Sequence, residues 1–336
     1  MDRKDLITDK CDLNGKGLEI GPSLNPVVPK RDGYDVETID HTDKKGLQEK
    51  YLQQGLDISN IEEVDYIWNG KPYTELTGKT DYYNYIIASH VIEHTNDLIS
   101  FFRDCSALLK ENGVLSLVIP DKRYCFDYLR PVTSISQVLD SHINHSDFHK
   151  PGSVYEHVST ACRSMGDIAW VHPAPPVDLE FVHSIETAVN MYNKALEQTE
   201  YIDIHNWAFT KNSFLQLIYD LNCLGLVDLQ VIKSFDTAGH EFYVSLKKRK
   251  EKFLPDENER LKLALETQND LEPADRDAYM IEQINGLNSY IKELKQQINT
   301  LNEHISEIYN SRTWKTGEKL QKIYRFFIKS NTKRQD

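Results

Sequence analysis

The sequence predicts an α/β fold in which a mostly parallel, doubly wound sheet precedes an α-helical C-terminal region. Three observations support this prediction. Short apolar runs alternate with amphipathic stretches up to about residue 248, a glycine turn follows the first run, and a heptad pattern begins near residue 276. Strands that alternate with helices are typical of parallel sheets covered by helices on both faces.

The apolar spacing between the third and fourth predicted strands indicates a helix from Leu98 to Leu109, which the turn residues Asn112-Gly113 should end. Apolar residues from Phe214 to Leu221 indicate another helix before the last two strands. The predicted strands are Gly17–Ile20, Val36–Asp40, Tyr83–Ser89, Val114–Ile119, Leu229–Phe235 and Glu241–Leu246.

The first two strands indicate a nucleoside site. The first ends in a turn at Gly21, and the second ends in Asp40, where a carboxylate can accept hydrogen bonds from a ribose. Ser23 and Pro26 stand where further glycines would admit a pyrophosphate. The turn therefore favours a nucleoside without phosphate, such as S-adenosylmethionine.

Composition excludes several classes of protein. The net charge of −13 argues against nucleic acid as a partner. Five widely spaced cysteines without a C-x-x-C pair favour reduced thiols over disulfides or zinc, so no metal is expected. The N-terminus lacks an apolar signal core, and no run of about 18 apolar residues exists, so a cytoplasmic location is expected.

Residues 15 to about 248 resemble the class I S-adenosylmethionine-dependent methyltransferases. The resemblance rests on Leu18-Glu-Ile-Gly21, Asp40, the segment Tyr83–His94 containing Ser-His-Val-Ile-Glu-His, and the segment Leu108–Pro120. It implies a Rossmann-like sheet of seven strands, methyl transfer as the reaction and S-adenosyl-L-methionine as the cofactor.

The resemblance also implies roles for single residues. Glu19 and Gly21 would lie beside the methionine part of the cofactor, and Asp40 would bind the ribose hydroxyls. Asn69-Gly70 would contact the adenine, although the family commonly has aspartate there and Asp65 is a rival.

Ser89 and His90 would lie beside the sulfonium and the acceptor, whereas Glu93-His94 could equally be structural. Residues 124–203 are rich in His and Pro and are predicted to be a substrate-side insertion. An alcohol acceptor would need a general base. Isolated histidines are more often structural than catalytic, so both interpretations of the candidates stay open. The candidate catalytic residues are His90, Asp121, His145, His149 and His205.

The C-terminal region is predicted to contain a linker (249–275), a coiled coil (276–311) and a basic amphipathic tail (312–336). Isoleucines recur every seven residues from Ile284 to Ile305, and a leucine or, at Ile308, an isoleucine follows each of them by three residues. This pattern favours a parallel dimer, with a helix folded onto the enzyme as the alternative. The tail carries eight Lys and Arg against two acidic residues and suits an anionic membrane, or else its own acidic body.

The segment Glu307–Trp314, with Ser-Arg-Thr-Trp before a basic tail, is similar to enzymes of bacterial surface-polysaccharide assembly. This second resemblance implies O-methylation of a sugar of an O-antigen or capsule, or of its lipid-linked precursor, at the inner face of the cytoplasmic membrane. The implied partners are this glycan acceptor, the membrane surface and polysaccharide-assembly enzymes. Two alternatives stay open: a non-catalytic scaffold with a degenerate domain, and a small-molecule or lipid methyltransferase.

Overall fold

The computed structural model describes residues 1–145, 148–199, 201–249, 251–271 and 276–332, without the side chains of residues 276–283 and 326–332. The chain divides into two units, Met1–Ala274 and Asp275–Asp336. The first unit contains every strand that the structure describes. These strands are β1 (Gly17–Ile20), β2 (Val36–Asp40), β3 (Tyr66–Ile67), β4 (Tyr83–Ser89), β5 (Leu109–Pro120), β6 (Cys162–Ser164), β7 (Leu179–Phe181), β8 (Leu229–Ala238) and β9 (Glu241–Lys248).

The helices of the first unit cover the sheet and build the insertion between β5 and β8. The second unit consists of two helices in its described part. In chain order the helices are α1 (Arg3–Thr8), α2 (Lys44–Gln53), α3 (Tyr73–Thr77), α4 (Leu98–Leu108), α5 (Ile135–Asn144), α6 (Pro151–Thr160), α7 (Ile185–Leu196), α8 (Lys211–Cys223), α9 (Glu257–Leu271), α10 (Arg276–Asn310) and α11 (Arg312–Thr332).

The main sheet has seven strands in the order β3-β2-β1-β4-β5-β9-β8. The first five are parallel, and β9 runs antiparallel to both β5 and β8. The predicted Rossmann-like, mostly parallel seven-stranded sheet is therefore confirmed. Because β9 is antiparallel, its first residue Glu241 pairs with Pro120 at the end of β5. Glu241 thus lies at the carboxyl edge of the sheet, where the parallel strands end.

Both faces of the sheet are buried. Ile86, Leu117 and Phe214 belong to the larger core on one face, and Ile87 and Tyr243 belong to the smaller core on the other. Successive side chains of a strand point to opposite faces of the sheet, and here both faces are buried. The central strands are therefore near-continuous apolar runs. Burial on both faces stabilises the sheet and so holds the strand ends at one edge.

The predicted end of α4 is wrong by a few residues. The helix ends at Leu108, and Leu109 already pairs with Tyr83 of β4. A β-carbon on Gly113 would lie 3.0 Å from the carbonyl oxygen of Tyr83. The glycine therefore permits close approach of two strands, which local turn rules do not distinguish from a helix cap.

Residues 124–203 contain α5, α6, α7 and the hairpin of β6 with β7. Helices α6 and α7 bury Val154, Val158 and Ala188 in a small core of their own. After β9, helix α9 adjoins α8, where the Tyr219 hydroxyl donates to the carbonyl of Asp256 over 2.8 Å. Part of the predicted linker is thus a helix of the first unit.

In the second unit, α10 displays the predicted stripe of isoleucine and leucine. Its described members are 38 to 61% exposed, from Leu294 to Leu287. Among the helices that the structure describes, none is long and apolar enough to cross a membrane. The heptad side chain of Met280, the tail side chains of residues 326–332 and residues 333–336 lie outside the described part.

Candidate functional site

The turn after β1 brings backbone close to the end of β4. Gly21 has φ +67°, and its N–H donates to the carbonyl of Ile39 over 2.8 Å. A β-carbon at this position would lie 2.8 Å from Cγ2 of Val91. Only glycine meets both demands without strain, so the turn forms a cradle that a larger residue would fill.

Glu19 is buried below this turn and shapes it. Its Oε1 accepts from the Val27 N–H over 2.7 Å and its Oε2 accepts from the Val28 N–H over 3.2 Å. Burial raises the pKa of Glu19 to about 7, although the two backbone donors oppose the shift. Both carboxylate oxygens of Glu19 bind the loop backbone. The predicted contact of Glu19 with the methionine ammonium therefore stays a prediction.

Asp40 is buried at the end of β2 and binds the same turn. Its Oδ2 accepts from the Ser23 N–H over 3.0 Å, and its Oδ1 accepts from the His41 N–H over 2.8 Å. Oδ1 also lies 2.6 Å from Nδ1 of His41. Each carboxylate oxygen can accept two hydrogen bonds, so capacity for a ribose hydroxyl remains on Oδ2. The structure thus brings Asp40 and the glycine turn together, as a nucleoside site requires.

The segment after β3 lies beside Asp40. The Trp68 N–H donates to the Asp40 carbonyl over 2.8 Å, which places the following Asn69-Gly70 at this edge, with φ +86° at Gly70. The rival Asp65 accepts from the Thr38 N–H over 2.7 Å and pairs with Lys30, so it is used within the fold. The ends of β1, β2 and β3 therefore adjoin, and their residues fit a nucleoside.

A charged group closes the end of β4. His90 adopts φ +54°, and its Nε2 lies 2.7 Å from Oε2 of Glu241. Arg3 of α1 binds Glu241 over 2.6 Å and donates to the Ser89 hydroxyl over 3.0 Å. Burial opposes protonation of the ring, but the Glu241 carboxylate outweighs it and raises the pKa of His90.

A second group consists of Glu93 and His94, which follow β4 in the chain, and of His205. One ligand-type atom from each of the three lies within 4.8 Å of the others. His205 Nδ1 lies 2.5 Å from Asp127 Oδ2, and His94 Nδ1 lies 2.8 Å from Asp203 Oδ1. Asp127 therefore binds Nδ1 of His205, whereas Asp203 lies beside Nδ1 of His94 without hydrogen-bond geometry.

Glu93 is the exception in this group. Its side chain is fully buried, and in the described part of the chain neither carboxylate oxygen has a hydrogen-bond partner. His90 Nδ1 lies 3.5 Å from Oε1 without hydrogen-bond geometry. A buried carboxylate without a donor is costly, so this position is suited to a bound group.

The other predicted bases have varied surroundings. Asp121 accepts from Arg123 and from the Thr237 hydroxyl, which joins the end of β5 to β8. His145 follows α5, with its ring 5.7 Å from that of His142. His149 is buried against Tyr201, and burial lowers its pKa to about 4, with the nearby charge of His94 adding to the shift.

Sequence reasoning missed Arg3, Asp127 and Glu241. Arg3 and Glu241 reach the site through an N-terminal helix and an antiparallel strand, and no local pattern reports such long-range pairings. The sequence gives a weak indication of Asp127, because Arg130 follows it by three residues. In the structure the two side chains form an ion pair of 2.9 Å.

Comparison with known families matches residues 2–160, a little under half of the chain, to a methyltransferase domain. The search of curated proteins finds no match. The domain, the confirmed fold and the ordered strand-end residues agree. This chain is an S-adenosylmethionine-dependent methyltransferase, with S-adenosylmethionine as its cofactor.

Solved structures resemble the chain only distantly. A methyltransferase from Methanosarcina mazei has 12% identity and a TM-score of 0.38, over 75% of this chain and 100% of its own. A protein described as a Zn-dependent alcohol dehydrogenase from Rhodobacter sphaeroides has 13% identity and a TM-score of 0.41, over 74% and 91%. A 1,6-didemethyltoxoflavin-N1-methyltransferase from Burkholderia thailandensis, with bound S-adenosylhomocysteine, has 10% identity and a TM-score of 0.35, over 74% and 76%. Likenesses this weak carry no argument about the acceptor.

Proposed function

We propose that this enzyme O-methylates a sugar hydroxyl of a surface polysaccharide or of its lipid-linked precursor. The observation that carries the proposal is Glu93, a fully buried carboxylate without a hydrogen-bond donor among the described residues. A sugar hydroxyl is a donor that would satisfy it. The same hydroxyl must lose its proton to become a nucleophile, and a carboxylate is suited to take it.

The neighbouring residues support a polar acceptor. His94 and His205 lie close to Glu93. Asp127 binds the ring of His205, and Asp203 lies 2.8 Å from Nδ1 of His94. Arg130 lies 2.9 Å from Asp127 and donates to the carbonyl of His205 over 2.8 Å, so the group is rigid. Rigid polar groups can align a hydroxyl for in-line displacement, in which proximity supplies much of the rate.

S-adenosylmethionine, when bound, supplies the methyl group as an electrophile. Asp40 would hold its ribose, the Gly21 turn would pass close to its methionine part, and Asn69-Gly70 would adjoin its adenine. Ser89 and His90, fixed by Arg3 and Glu241, would border the space between cofactor and acceptor. The order of the strand ends at the carboxyl edge supports these roles, which the resemblance implies.

The C-terminal helices support an acceptor at a membrane. The stripe on α10 is exposed, which suits pairing with a second copy as a parallel coiled coil. Helix α11 combines Trp314, Leu320 and Ile323 with Lys and Arg, the composition of helices that lie on anionic membranes. Lipid-linked glycan precursors are presented at such a surface.

The test supplies [methyl-³H]-S-adenosylmethionine to the full chain with membranes from a capsule- or O-antigen-producing bacterium. Label should enter the glycan fraction released by mild acid. Glu93→Gln should lose at least 100-fold in rate while still binding the cofactor, and His142→Gln, a histidine paired with Asp97, should keep its rate. Label confined to phospholipid or to small soluble products would contradict the proposal.

A further inference from the structure

The group of Glu93, His94 and His205 has the composition of a metal centre. Two imidazoles and one carboxylate are a common ligand set for Zn²⁺ and related divalent ions, with further positions left for water or substrate. The three ligand-type atoms lie within 4.8 Å of one another. A single ion can be reached by all three after small movements of the side chains.

The surroundings of the histidines match those of metal-bound imidazoles. In such sites the second ring nitrogen is held by a carboxylate, which fixes the tautomer and the orientation of the ring. Asp127 Oδ2 lies 2.5 Å from Nδ1 of His205, and Asp203 Oδ1 lies 2.8 Å from Nδ1 of His94. In His205 the ring nitrogen Nε2 is thus left for another partner, whereas the contact of Asp203 with Nδ1 of His94 is an ion pair without hydrogen-bond geometry.

Glu93 is a second, independent indication. It is fully buried, and both of its oxygens lack a hydrogen-bond partner in the described part of the chain. Burying a carboxylate without hydrogen-bond donors is unfavourable, and the imidazole of His90 lies 3.5 Å from Oε1 without hydrogen-bond geometry. A cation beside it removes this cost.

A neighbouring group of similar composition does not meet these conditions. His90, His240 and Glu241 also bring ligand-type atoms together. The Glu241 carboxylate, however, already binds Arg3 over 2.6 Å and accepts from the Tyr243 hydroxyl over 2.7 Å. The Arg3 cation neutralises it, so an ion there would be repelled.

We propose that Glu93, His94 and His205 bind one divalent metal ion of the zinc type, with Asp127 and Asp203 orienting the two histidines. An open position on this ion would hold the acceptor hydroxyl, which deepens the proposed function and rests on it. The hydroxyl proton would pass to the Glu93 oxygen that does not bind the ion. The hydroxyl oxygen would then attack the methyl carbon, and the carbon–sulfur bond would break with its electron pair remaining on sulfur.

The test uses the full chain without a histidine tag, stripped with a chelator and titrated with Zn²⁺ alone. The expected result is one Zn²⁺ per chain by calorimetry and elemental analysis. Replacement of Zn²⁺ by Co²⁺ should give visible absorption typical of a site with nitrogen and oxygen ligands. Glu93→Gln and His205→Gln should each bind at least tenfold more weakly. His142→Gln, which changes a histidine paired with Asp97, should bind like the wild type.

Because a buried substitution can prevent folding, the Co²⁺ spectrum of the wild-type chain decides the question without any variant. A wild-type chain that takes up neither ion would overturn the proposal, as would equal losses in His142→Gln and His205→Gln. A separate titration with S-adenosylmethionine distinguishes the two claims. Cofactor binding without metal binding rejects only the metal site, and metal binding without methylation of any glycan rejects the proposed acceptor.

Discussion

Glu19 and Glu93 are both buried carboxylates near the end of a strand, but their partners differ. Glu19 accepts from two backbone N–H groups and shapes the turn, whereas Glu93 has no donor among the described residues. The sequence predicted Asp40 and the Gly21 turn because their positions at strand ends can be read locally. It left Glu93 open, because burial without a partner becomes visible only after folding.

The titration of Glu19 should affect stability. Its folded pKa of about 7 exceeds the unfolded value of about 4.3, so the native state binds the proton more tightly between these pH values. The contribution of this group is present below about pH 4.3 and is lost as pH rises through about 7. Relative to Glu19→Gln, the wild type should therefore lose roughly 3 kcal/mol of unfolding free energy between pH 4.5 and pH 7.5. Urea unfolding at several pH values measures this difference, and a constant difference would contradict it.

Removal of the ribose acceptor should weaken the cofactor. Asp40→Ala should reduce affinity for S-adenosylmethionine by about 1–3 kcal/mol, since polar ribose groups would lose their partner. Asp35→Ala is the matched control, because Asp35 is an exposed aspartate just before the same strand and pairs with Lys16. Calorimetry on both variants tests the role, and equal affinities for Asp40→Ala and the wild type would reject it.

At the scale of elements, the strands with apolar runs were predicted with nearly correct bounds, because burial on two faces marks them in the sequence. The short β3 and the insertion hairpin were missed, since they depend on pairing with distant segments. The end of α4 was misplaced because Gly113 reports the closeness of β4 and β5 rather than a helix cap.

A side chain at residue 113 should therefore destabilise the sheet. Gly113→Ala would put a β-carbon 3.0 Å from the Tyr83 carbonyl and 2.8 Å from Cδ2 of Leu109, so strand or side chain must shift. Overpacking of this kind costs about 1–3 kcal/mol. Gly152→Ala, where no atom lies within 4 Å, is the control and should be neutral or slightly stabilising. Thermal unfolding compares the two, and an equal midpoint for both variants would contradict the packing argument.

The exposed stripe of α10 leads to a prediction about assembly. Truncation after Asp275 should convert a dimer to a monomer, because it removes the isoleucine and leucine positions of the predicted coiled coil. Truncation after Asn310 removes only Ser311, α11 and the residues that follow it, so this shorter chain should remain a dimer. Light scattering gives both masses, and a monomeric full-length chain would contradict the coiled-coil prediction.

At the scale of the whole molecule, charge is distributed unevenly. Residues 312–336 carry a balance of +6 within a chain of net charge −13. A basic, amphipathic segment is attracted to anionic lipids within about a Debye length. The sequence alone shows this asymmetry of charge. The acceptor cannot be inferred from composition or fold, because one fold serves many acceptors.

Deletion of residues 312–336 should abolish binding to liposomes that contain anionic phospholipid. The full chain should bind them at low salt and dissociate as salt rises, since screening weakens surface attraction. Neutral liposomes are the control. Flotation assays measure the bound fraction, and equal flotation of the truncated and full chains would reject a membrane role for the tail.

Every role proposed above depends on binding of a methyl donor at the carboxyl edge of this sheet, beside Glu93. Isothermal titration calorimetry of the full chain with S-adenosylmethionine tests this binding most directly. We expect one cofactor per chain, with affinity reduced in Asp40→Ala and unchanged in Glu93→Gln. A well-folded wild-type chain that binds no S-adenosylmethionine would contradict it.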